Sequence, residues 1–225
     1  MNRDKLIALS HELDGDWLSM YEVLKDDFGL RWWEPKQNEM SYVKAVTIYD
    51  EAYPKALLDL RQPPFVLYYE GDLALLDEPL RAVMGHFNPS EYALSWAKKL
   101  EGPVMATLDH GISGIVLKES SVGIAAFGLE MPFSKHLVAK GLVISEFPPN
   151  VPFSWRRYWR ANHLLLELGE ALNVFELGQE DIRLKMIDSF MRDGLPVFVL
   201  PDRWGVAKSA GGMGLLGRGA SVMDS

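Results

Sequence analysis

The chain has 225 residues, of which 48% are apolar and 24% charged, values ordinary for a globular protein with one sizeable core. It contains no cysteine, which excludes disulfides, thiolate catalysis and Cys-based zinc sites. No stretch approaches the roughly 20 consecutive apolar residues that span a bilayer. The first residues turn acidic after a few apolar positions, so we expect no secretory signal, no membrane association and a cytoplasmic location.

The net charge of −8 is unevenly distributed. Residues 1–80 carry 8 basic and 16 acidic side chains, whereas residues 81–225 carry 15 of each. The later part of the chain is therefore neutral and can hold a local basic patch. Because partner choice depends on such patches more than on the total charge, the acidic balance does not exclude a nucleic-acid partner.

The N-terminal part predicts a small helical region. Apolar residues at helical spacing indicate two short helices within residues 5–30. Residues 31–41 contain Pro35 and several polar residues, which is typical of a linker. We therefore expect a helical region and linker over residues 1–41 and one domain over residues 42–225. That domain opens with strands at 42–49 and 65–69, separated by a short helix that begins near Pro54.

From residue 81 onward, short apolar runs alternate with helical segments. The predicted strands are 82–84, 104–106, 123–127, 142–145, 171–177 and 196–200. The predicted helices are 89–100, 111–120, 134–140, 156–168 and 180–193. Several apolar runs are rich in Val and Ile without strict alternation, which is typical of parallel strands buried on both faces. The pattern predicts an α/β protein with a Rossmann-like, doubly wound, mostly parallel sheet.

The first strand–helix turn of this region is a candidate phosphate position. Gly85 and His86 follow the strand, Asn88 is placed to cap the next helix, and Glu91 completes a capping-box-like arrangement around Pro89. Ligands of open α/β sheets bind at the carboxyl ends of strands, where helix N-termini favour anions. A single glycine is also compatible with a plain strand–helix turn, and both interpretations stay open.

The segment at residues 153–163 reads FSWRRYWRANH and interleaves aromatic residues with Arg156, Arg157 and Arg160. Arginine binds phosphate through a bidentate fork, and aromatic faces stack on unpaired bases. No acidic residue interrupts this stretch. The alternative is that the aromatic rings belong to the core and the arginines pair with acids on neighbouring elements.

No constellation of catalytic residues is recognisable. The five histidines are dispersed without HExxH spacing, and there is no G-x-S-x-G elbow or P-loop. We expect no enzymatic activity, no catalytic residue, no metal and no cofactor.

Five segments in the same order resemble those of one family. They are YPKALLDLRQPPFVLYYEGDLALL at 53–76, SVGIAAFGLEMPF at 121–133, GLVISEFPP at 141–149, RYWRANHLLLELGEALNVFEL at 157–177 and SAGGMGLLGRGA at 209–220. Together they resemble the DNA-processing A (DprA/Smf) family over roughly residues 43–222. The chain is identified as a divergent member of that family.

The chain departs from the family pattern at residues expected to contact phosphate. The family's glycine–serine–arginine turn is replaced by residues 85–87, Gly-His-Phe, and a family aspartate is replaced by Ser113 beside the matching Gly111. In the aromatic–x–Arg–x–Asn–Arg run, Tyr158, Arg160 and Asn162 match, but His163 replaces the last arginine.

The resemblance implies a protein that binds single-stranded DNA in the cytoplasm during natural transformation. Family members protect incoming strands and assist loading of a RecA-type recombinase without turning over a substrate. We expect the nucleic-acid contacts at Arg156, Arg157, Tyr158, Arg160 and Asn162. The expected phosphate or ligand turn comprises Gly85, His86, Asn88 and Gly111.

Two alternatives remain open because the phosphate positions differ from the family pattern. One is a nucleotide or small-ligand sensor that uses residues 85–88 and Gly111. The other is a protein-interaction module that binds a recombinase or a second copy of itself as a homodimer, with Trp32 and Trp33 as an exposed anchor.

Overall fold

A computed structural model of the chain describes residues 2–25, 43–131, 141–202 and 205–224. The helix predicted at 134–140 and the whole linker predicted at 31–41, including the Trp32–Trp33 pair, lie outside these residues. The chain divides into two compact units, one made of Met1–Asp77 with Ala125–Ala161, the other of Glu78–Ile124 with Asn162–Ser225. The domain boundary predicted between residues 41 and 42 stays a prediction, since it lies outside the described residues.

The strands are β1 Lys44–Thr47, β2 Val66–Glu70, β3 Arg81–Gly85, β4 Val104–Thr107, β5 Ser121–Ala125, β6 Gly141–Ser145, β7 Ala171–Phe175, β8 Val197–Val199 and β9 Ser221–Val222. The α-helices are α1 Arg3–Glu12, α2 Trp17–Lys25, α3 Lys55–Leu58, α4 Glu91–Ala97, α5 Ile112–Val116, α6 Trp155–Leu168, α7 Arg183–Arg192 and α8 Ala210–Leu216. A 3-10 turn covers Leu73–Asp77. None of the helices among the described residues is long and apolar enough to cross a membrane.

The first unit contains an antiparallel arrangement of β1, β2 and β6. Lys44 pairs with Tyr69 between β1 and β2, and Tyr68 pairs with Ser145 between β2 and β6. Helix α1 packs on β1 and β2, where the buried Tyr68 hydroxyl donates to Ser10 Oγ at 3.2 Å. Both predicted N-terminal helices are present.

Helix α2 is held to the first unit by its leading tryptophan. The Trp17 indole stacks on Phe65 with ring centroids 5.3 Å apart, and its Nε1 donates to the Pro63 carbonyl at 2.8 Å. An amphipathic ring with one satisfied N–H suits such a half-buried position, because the apolar face is covered and the polar edge is paired. The helix thereby keeps a fixed position on the segment that precedes β2.

The second unit is a parallel sheet in which the strands pair in the order β5, β4, β3, β7, β8, β9. The chain runs outward from β3 through β4 to β5, then returns to β7 and continues in the opposite direction. This reversal defines a doubly wound, Rossmann-like topology, as the sequence predicts. The order reverses between β3 and β7, where Gly85 pairs with Phe175.

The central strands are buried because helices cover them. The β3 residues after Arg81 and the β7 residues after Ala171 are all buried, which explains their continuous apolar sequence. Helix α5 packs on β3 and β4, and α8 packs on β8 and α7. The helix α8 and the short strand β9 lie in a glycine-rich tail for which the sequence predicts neither element.

The turn before α5 admits only glycine at position 111. Gly111 has a φ of +92°, and a Cβ at this position would lie 2.4 Å from the His86 carbonyl oxygen. We expect Gly111→Ala to lower the free energy of unfolding by about 2–4 kcal/mol, because backbone strain and overpacking add. Urea denaturation measures this change.

Gly114→Ala is the matched control, since it lies in the same helix and its added Cβ would meet nothing within 4 Å. This control should be neutral or stabilising, because alanine favours helix more than glycine does. Equal stability of the two variants would contradict the close approach at Gly111.

Candidate nucleic-acid interface

Helix α6 carries the aromatic–arginine segment. Its first turn is fixed by Ser154, whose Oγ accepts from the Arg157 N–H at 3.2 Å. The helix starts at Trp155, one residue earlier than predicted, and it is strongly amphipathic. Its buried face includes Tyr158, Ala161 and Leu164, so the exposed residues of the first turn are Trp155 and Arg156.

Two of the three arginines pair with one acidic turn. Arg156 contacts the Asp16 carboxylate, and Arg157 Nη2 lies 3.2 Å from Asp14 Oδ2. Partial burial raises the pKa of Asp16, but hydrogen bonds from Ser19 and the charges of the two arginines outweigh it and hold that pKa below its usual value. The Arg156 side chain is 76% exposed, so its ion pair is open to water.

The acidic turn is held in place by its own backbone. Asp14 and Gly15 both have positive φ, 53° and 70°, and a Cβ on Gly15 would lie 2.5 Å from the Glu146 carbonyl oxygen. The turn therefore packs closely on the segment after β6. The sequence analysis did not connect Asp14 and Asp16 with the arginines, although the Asp-Gly-Asp spacing marks a tight turn.

Arg160 forms the buried ion pair of the first unit. Its Nε and Nη2 donate to the two carboxylate oxygens of Glu146 at 2.8 and 2.6 Å, and Nη2 also donates to the Gln62 carbonyl at 2.6 Å. Burial raises the pKa of Glu146, while the charge and hydrogen bonds of Arg160 act in the opposite direction. Most donors of the guanidinium thus go to internal acceptors, which is the arrangement anticipated by the alternative interpretation of this segment.

Tyr158 and Asn162 lie in the core. Tyr158 is 3% exposed; its ring contacts Trp155 edge-on and Phe153 at a tilt of 50°, and Asn162 is fully buried. Of the five predicted nucleic-acid residues, Arg156 is therefore the exposed one, with 76% of its side chain exposed, while Arg157 is partly exposed at 21%. The rings that reach the surface around the start of α6 are those of Phe153 and Trp155, which the sequence groups with the same segment.

The turn after β3 differs in its capping from the sequence prediction. Asn88 does not cap helix α4; instead, Ser90 is the N-cap and its Oγ accepts from the Ala93 N–H at 3.2 Å. Asn88 N–H donates to His86 Nδ1 at 3.0 Å, which folds the turn back on itself. The prediction of an Asn88 cap with Pro89 in the first helical position was wrong, because this local bond removes Asn88 from the helix.

A buried carboxylate occupies the start of α4. Glu176, directly after β7, is 3% exposed and accepts from the Ser90 N–H at 2.7 Å and from the Ser90 hydroxyl. Its φ is +45°, a strained value for a residue with a side chain. The position that the sequence predicts for a phosphate at this turn is thus adjacent to an internal anion.

The buried side chain of Arg183 binds the turn after β3. Arg183 Nη2 donates to the Gly85 carbonyl at 2.9 Å, and its guanidinium lies over the Phe87 ring, 5.0 Å from the centroid. It is also paired with Asp181 at 2.8 Å. Sequence reasoning missed both Glu176 and Arg183; the position of Glu176 at the carboxyl end of a strand was the available signal.

A cavity of about 570 Å³ opens beside this turn in the second unit. Its lining includes Ser90, Tyr92, Glu176, Asp202, Val206 and Lys208. Two carboxylates against one lysine make it a poor place for a polyanionic ligand. Among the residues that the structure describes, no three His, Asp or Glu side chains are grouped to hold a metal ion.

Together, the doubly wound sheet and the turn at its reversal point place the second unit in the class of Rossmann-like α/β domains. The family model for DNA recombination-mediator protein A matches residues 44–225. The chain belongs to this family.

Three curated relatives agree with this assignment. The chain is 24% identical over 203 residues to protein Smf of Synechocystis, covering 78% of this chain and 50% of that protein. It is 23% identical over 205 residues to the DNA processing protein DprA of Bacillus subtilis, with 81% and 69% covered. Protein Smf of Escherichia coli is 28% identical over 195 residues, with 77% and 52% covered. The chain thus spans about half the length of the two Smf proteins.

Two solved structures share the fold. DNA processing protein A from Streptococcus pneumoniae superposes with a TM-score of 0.74 at 22% identity, covering 92% of this chain and 78% of that one. The Helicobacter pylori protein, described for its single-stranded DNA binding mode, gives a TM-score of 0.67 at 21% identity, covering 80% and 90%. The expected Rossmann-like fold is confirmed.

The buried and exposed arginines of α6 should differ sharply in their effect on stability. We expect Arg160→Ala to lower the free energy of unfolding by about 3–5 kcal/mol, because the Glu146 carboxylate is left buried without its partner. Arg156→Ala, the matched exposed control, should change it by about 1 kcal/mol or less. Similar losses in chemical denaturation for both variants would show that Arg160 is not an internal structural residue.

The Asp181–Arg183 pair predicts a pH dependence of stability. Burial raises the pKa of Asp181, but the hydrogen bonds and charge of Arg183 outweigh it, so the pKa in the folded protein is lowered. A lowered pKa stabilises the fold above the unfolded value, about 3.9, and this contribution is lost as the pH falls through the lower folded value.

Asp181→Asn should therefore reduce stability at neutral pH, and the difference from the parent protein should shrink as the pH falls below about 4. Denaturant titrations of both proteins at several pH values measure this difference in the free energy of unfolding. The difference between the two proteins is the relevant quantity, since other carboxylates titrate equally in both. A difference that stays constant down to strongly acidic pH would contradict the assigned role of the pair.

Proposed function

We propose that this chain binds single-stranded DNA and acts in the cytoplasm as a recombination mediator, not as an enzyme. Family membership over residues 44–225 is the observation that carries the proposal. The name of the family implies work with a recombinase, and the Helicobacter pylori relative is described as binding single-stranded DNA. We accordingly propose a RecA-type recombinase as the protein partner and the protection of incoming DNA in natural transformation as the setting.

The start of helix α6 is the proposed DNA-contacting surface. Arg156 and Arg157 are neighbouring cations, and their present partners, Asp16 and Asp14, belong to a solvent-accessible turn. Ion pairs open to water contribute about 0–1 kcal/mol, so at Arg156, whose side chain is 76% exposed, a phosphate can replace the carboxylate at small cost. Arginine offers a phosphate the same planar fork that it offers an aspartate.

The other predicted residues enter the proposal with different roles. Arg160, Tyr158 and Asn162 support the helix from inside, since their side chains are buried or internally paired. The turn formed by Gly85, His86, Asn88 and Gly111 is the second proposed contact surface. Its contribution to phosphate binding is smaller, because the Glu176 carboxylate already accepts the Ser90 donors at the start of α4.

The test is fluorescence anisotropy with a labelled single-stranded oligonucleotide at several salt concentrations. We expect salt-sensitive binding that weakens when Arg156 and Arg157 are both replaced by alanine. Loss of two phosphate contacts should also flatten the plot of log K against log salt by about 1.4, since each contact contributes about 0.7. Arg192→Ala, an exposed arginine at the end of α7, is the control.

The acidic turn should act in the opposite direction. Asp14→Asn combined with Asp16→Asn should tighten binding, because the competing carboxylates are removed while asparagine still caps α2 through Ser19. Asp59→Asn with Asp77→Asn changes the net charge equally at two other exposed positions and serves as the control. If neither the arginine nor the aspartate pair alters affinity relative to its control, this surface is not the DNA site.

A further inference from the structure

Two large aromatic side chains, Phe153 and Trp155, are exposed next to the arginines of α6. Trp155 is 64% exposed, the highest value among the exposed large hydrophobic residues that the structure describes, and Phe153 is 48% exposed. Their ring centroids lie 5.5 Å apart at an interplanar angle of 77°. We call these two residues the aromatic pair.

The aromatic pair packs on the buried side chain of Tyr158. The buried Tyr158 ring meets Trp155 edge-on, with centroids 5.8 Å apart, and meets Phe153 at 6.1 Å. Its backbone N–H donates to the Ser154 carbonyl at 2.9 Å, which fixes the chain between the two exposed rings. The aromatic pair is therefore presented by a rigid helix start, which limits the entropy that binding would cost.

The neighbouring charges suit an anionic strand. Arg156 directly follows Trp155 and is 76% exposed, and Arg157 lies over the Phe147 ring at 5.7 Å on the same unit. A polyanion that approaches the arginines brings its bases within reach of the aromatic pair. Exposed aromatic rings beside an exposed cation are the elements from which binding sites for unpaired nucleic acids are built.

The geometry points to the aromatic pair as a stacking platform for unpaired nucleobases, an inference that rests on the proposed function and names the part of the DNA that this surface recognises. Every base has a π-face, so such a platform tolerates any sequence. In a duplex those faces are already stacked on one another, so only single strands or ends can use the platform. The aromatic pair would thus supply preference for single strands, and the arginines would supply the salt-dependent attraction.

The decisive variant is Phe153→Ala combined with Trp155→Ala. We expect it to weaken binding of a single-stranded oligonucleotide by about tenfold to a hundredfold, as loss of one or two stacked bases does elsewhere. The slope of affinity against salt should not change, because the phosphate contacts remain. Trp155→Phe with Phe153→Tyr should restore affinity to near the parent value, since both replacements retain a stacking face.

Two controls separate stacking from other effects. Tyr49→Ala removes a ring that is 59% exposed elsewhere in the first unit and should leave affinity unchanged. An abasic strand of equal length carries the phosphates without the bases, so its binding should be weaker and insensitive to the double alanine variant. Circular dichroism and thermal unfolding confirm that the variants are folded.

The outcomes distinguish this inference from the proposal on which it depends. If the parent protein binds no single-stranded DNA even at low salt, the proposed function fails and the platform fails with it. If the parent protein binds but the double alanine variant matches it, or the abasic strand shows the same loss, stacking on the aromatic pair is refuted while DNA binding stands. A variant that instead changes only the sedimentation coefficient identifies the aromatic pair as a contact between copies of the chain and refutes the platform.

Discussion

The buried ion pair between Arg160 and Glu146 is the constraint on which the candidate interface depends. It joins the end of β6 to helix α6 and, through the Gln62 carbonyl, to the segment before β2. Four of the five N–H donors of this guanidinium are used by Glu146 and Gln62, and freeing it would leave a buried carboxylate unpaired. With Arg160 paired inside, the start of α6, at Trp155 and Arg156, is the part of the helix that faces the solvent.

The same helix thus carries a largely buried and an exposed arginine one turn apart. The Arg160 side chain is 16% exposed and pairs with buried Glu146, whereas that of Arg156 is 76% exposed and pairs with Asp16. Part of the acidic excess of the N-terminal region is used in this arrangement: the carboxylates of Asp14 and Asp16 pair with Arg157 and Arg156 of α6. In the proposed function, the affinity for DNA would be set by competition between these aspartates and the phosphates for the same arginines.

The reversal point of the sheet shows how far sequence reasoning reached. Buried apolar runs predicted the parallel strands β3 and β7, and the position of the turn after Gly85 follows from them. The carboxylate of Glu176 at the start of α4 and the guanidinium of Arg183 at Gly85 come from residues about 90 positions away. No local pattern indicates such pairings, because they exist only once the sheet has brought β3 and β7 together. The helix cap was mispredicted for a different, local reason: Asn88 bonds to His86 two residues earlier, and Ser90 is the N-cap.

The sequence by itself determined the class of fold, the family and the segment that carries the candidate interface. These follow from hydrophobic periodicity and from the order of short motifs, which are properties of neighbouring residues. Only the tertiary structure decided which side chains of that segment reach the surface. Tyr158 and Trp155 share one helix and similar chemistry, yet one is buried and the other 64% exposed. The reason is physical: exposure and ion pairing depend on what packs against a helix, and the strands, turns and acids that pack against α6 are distant in the chain.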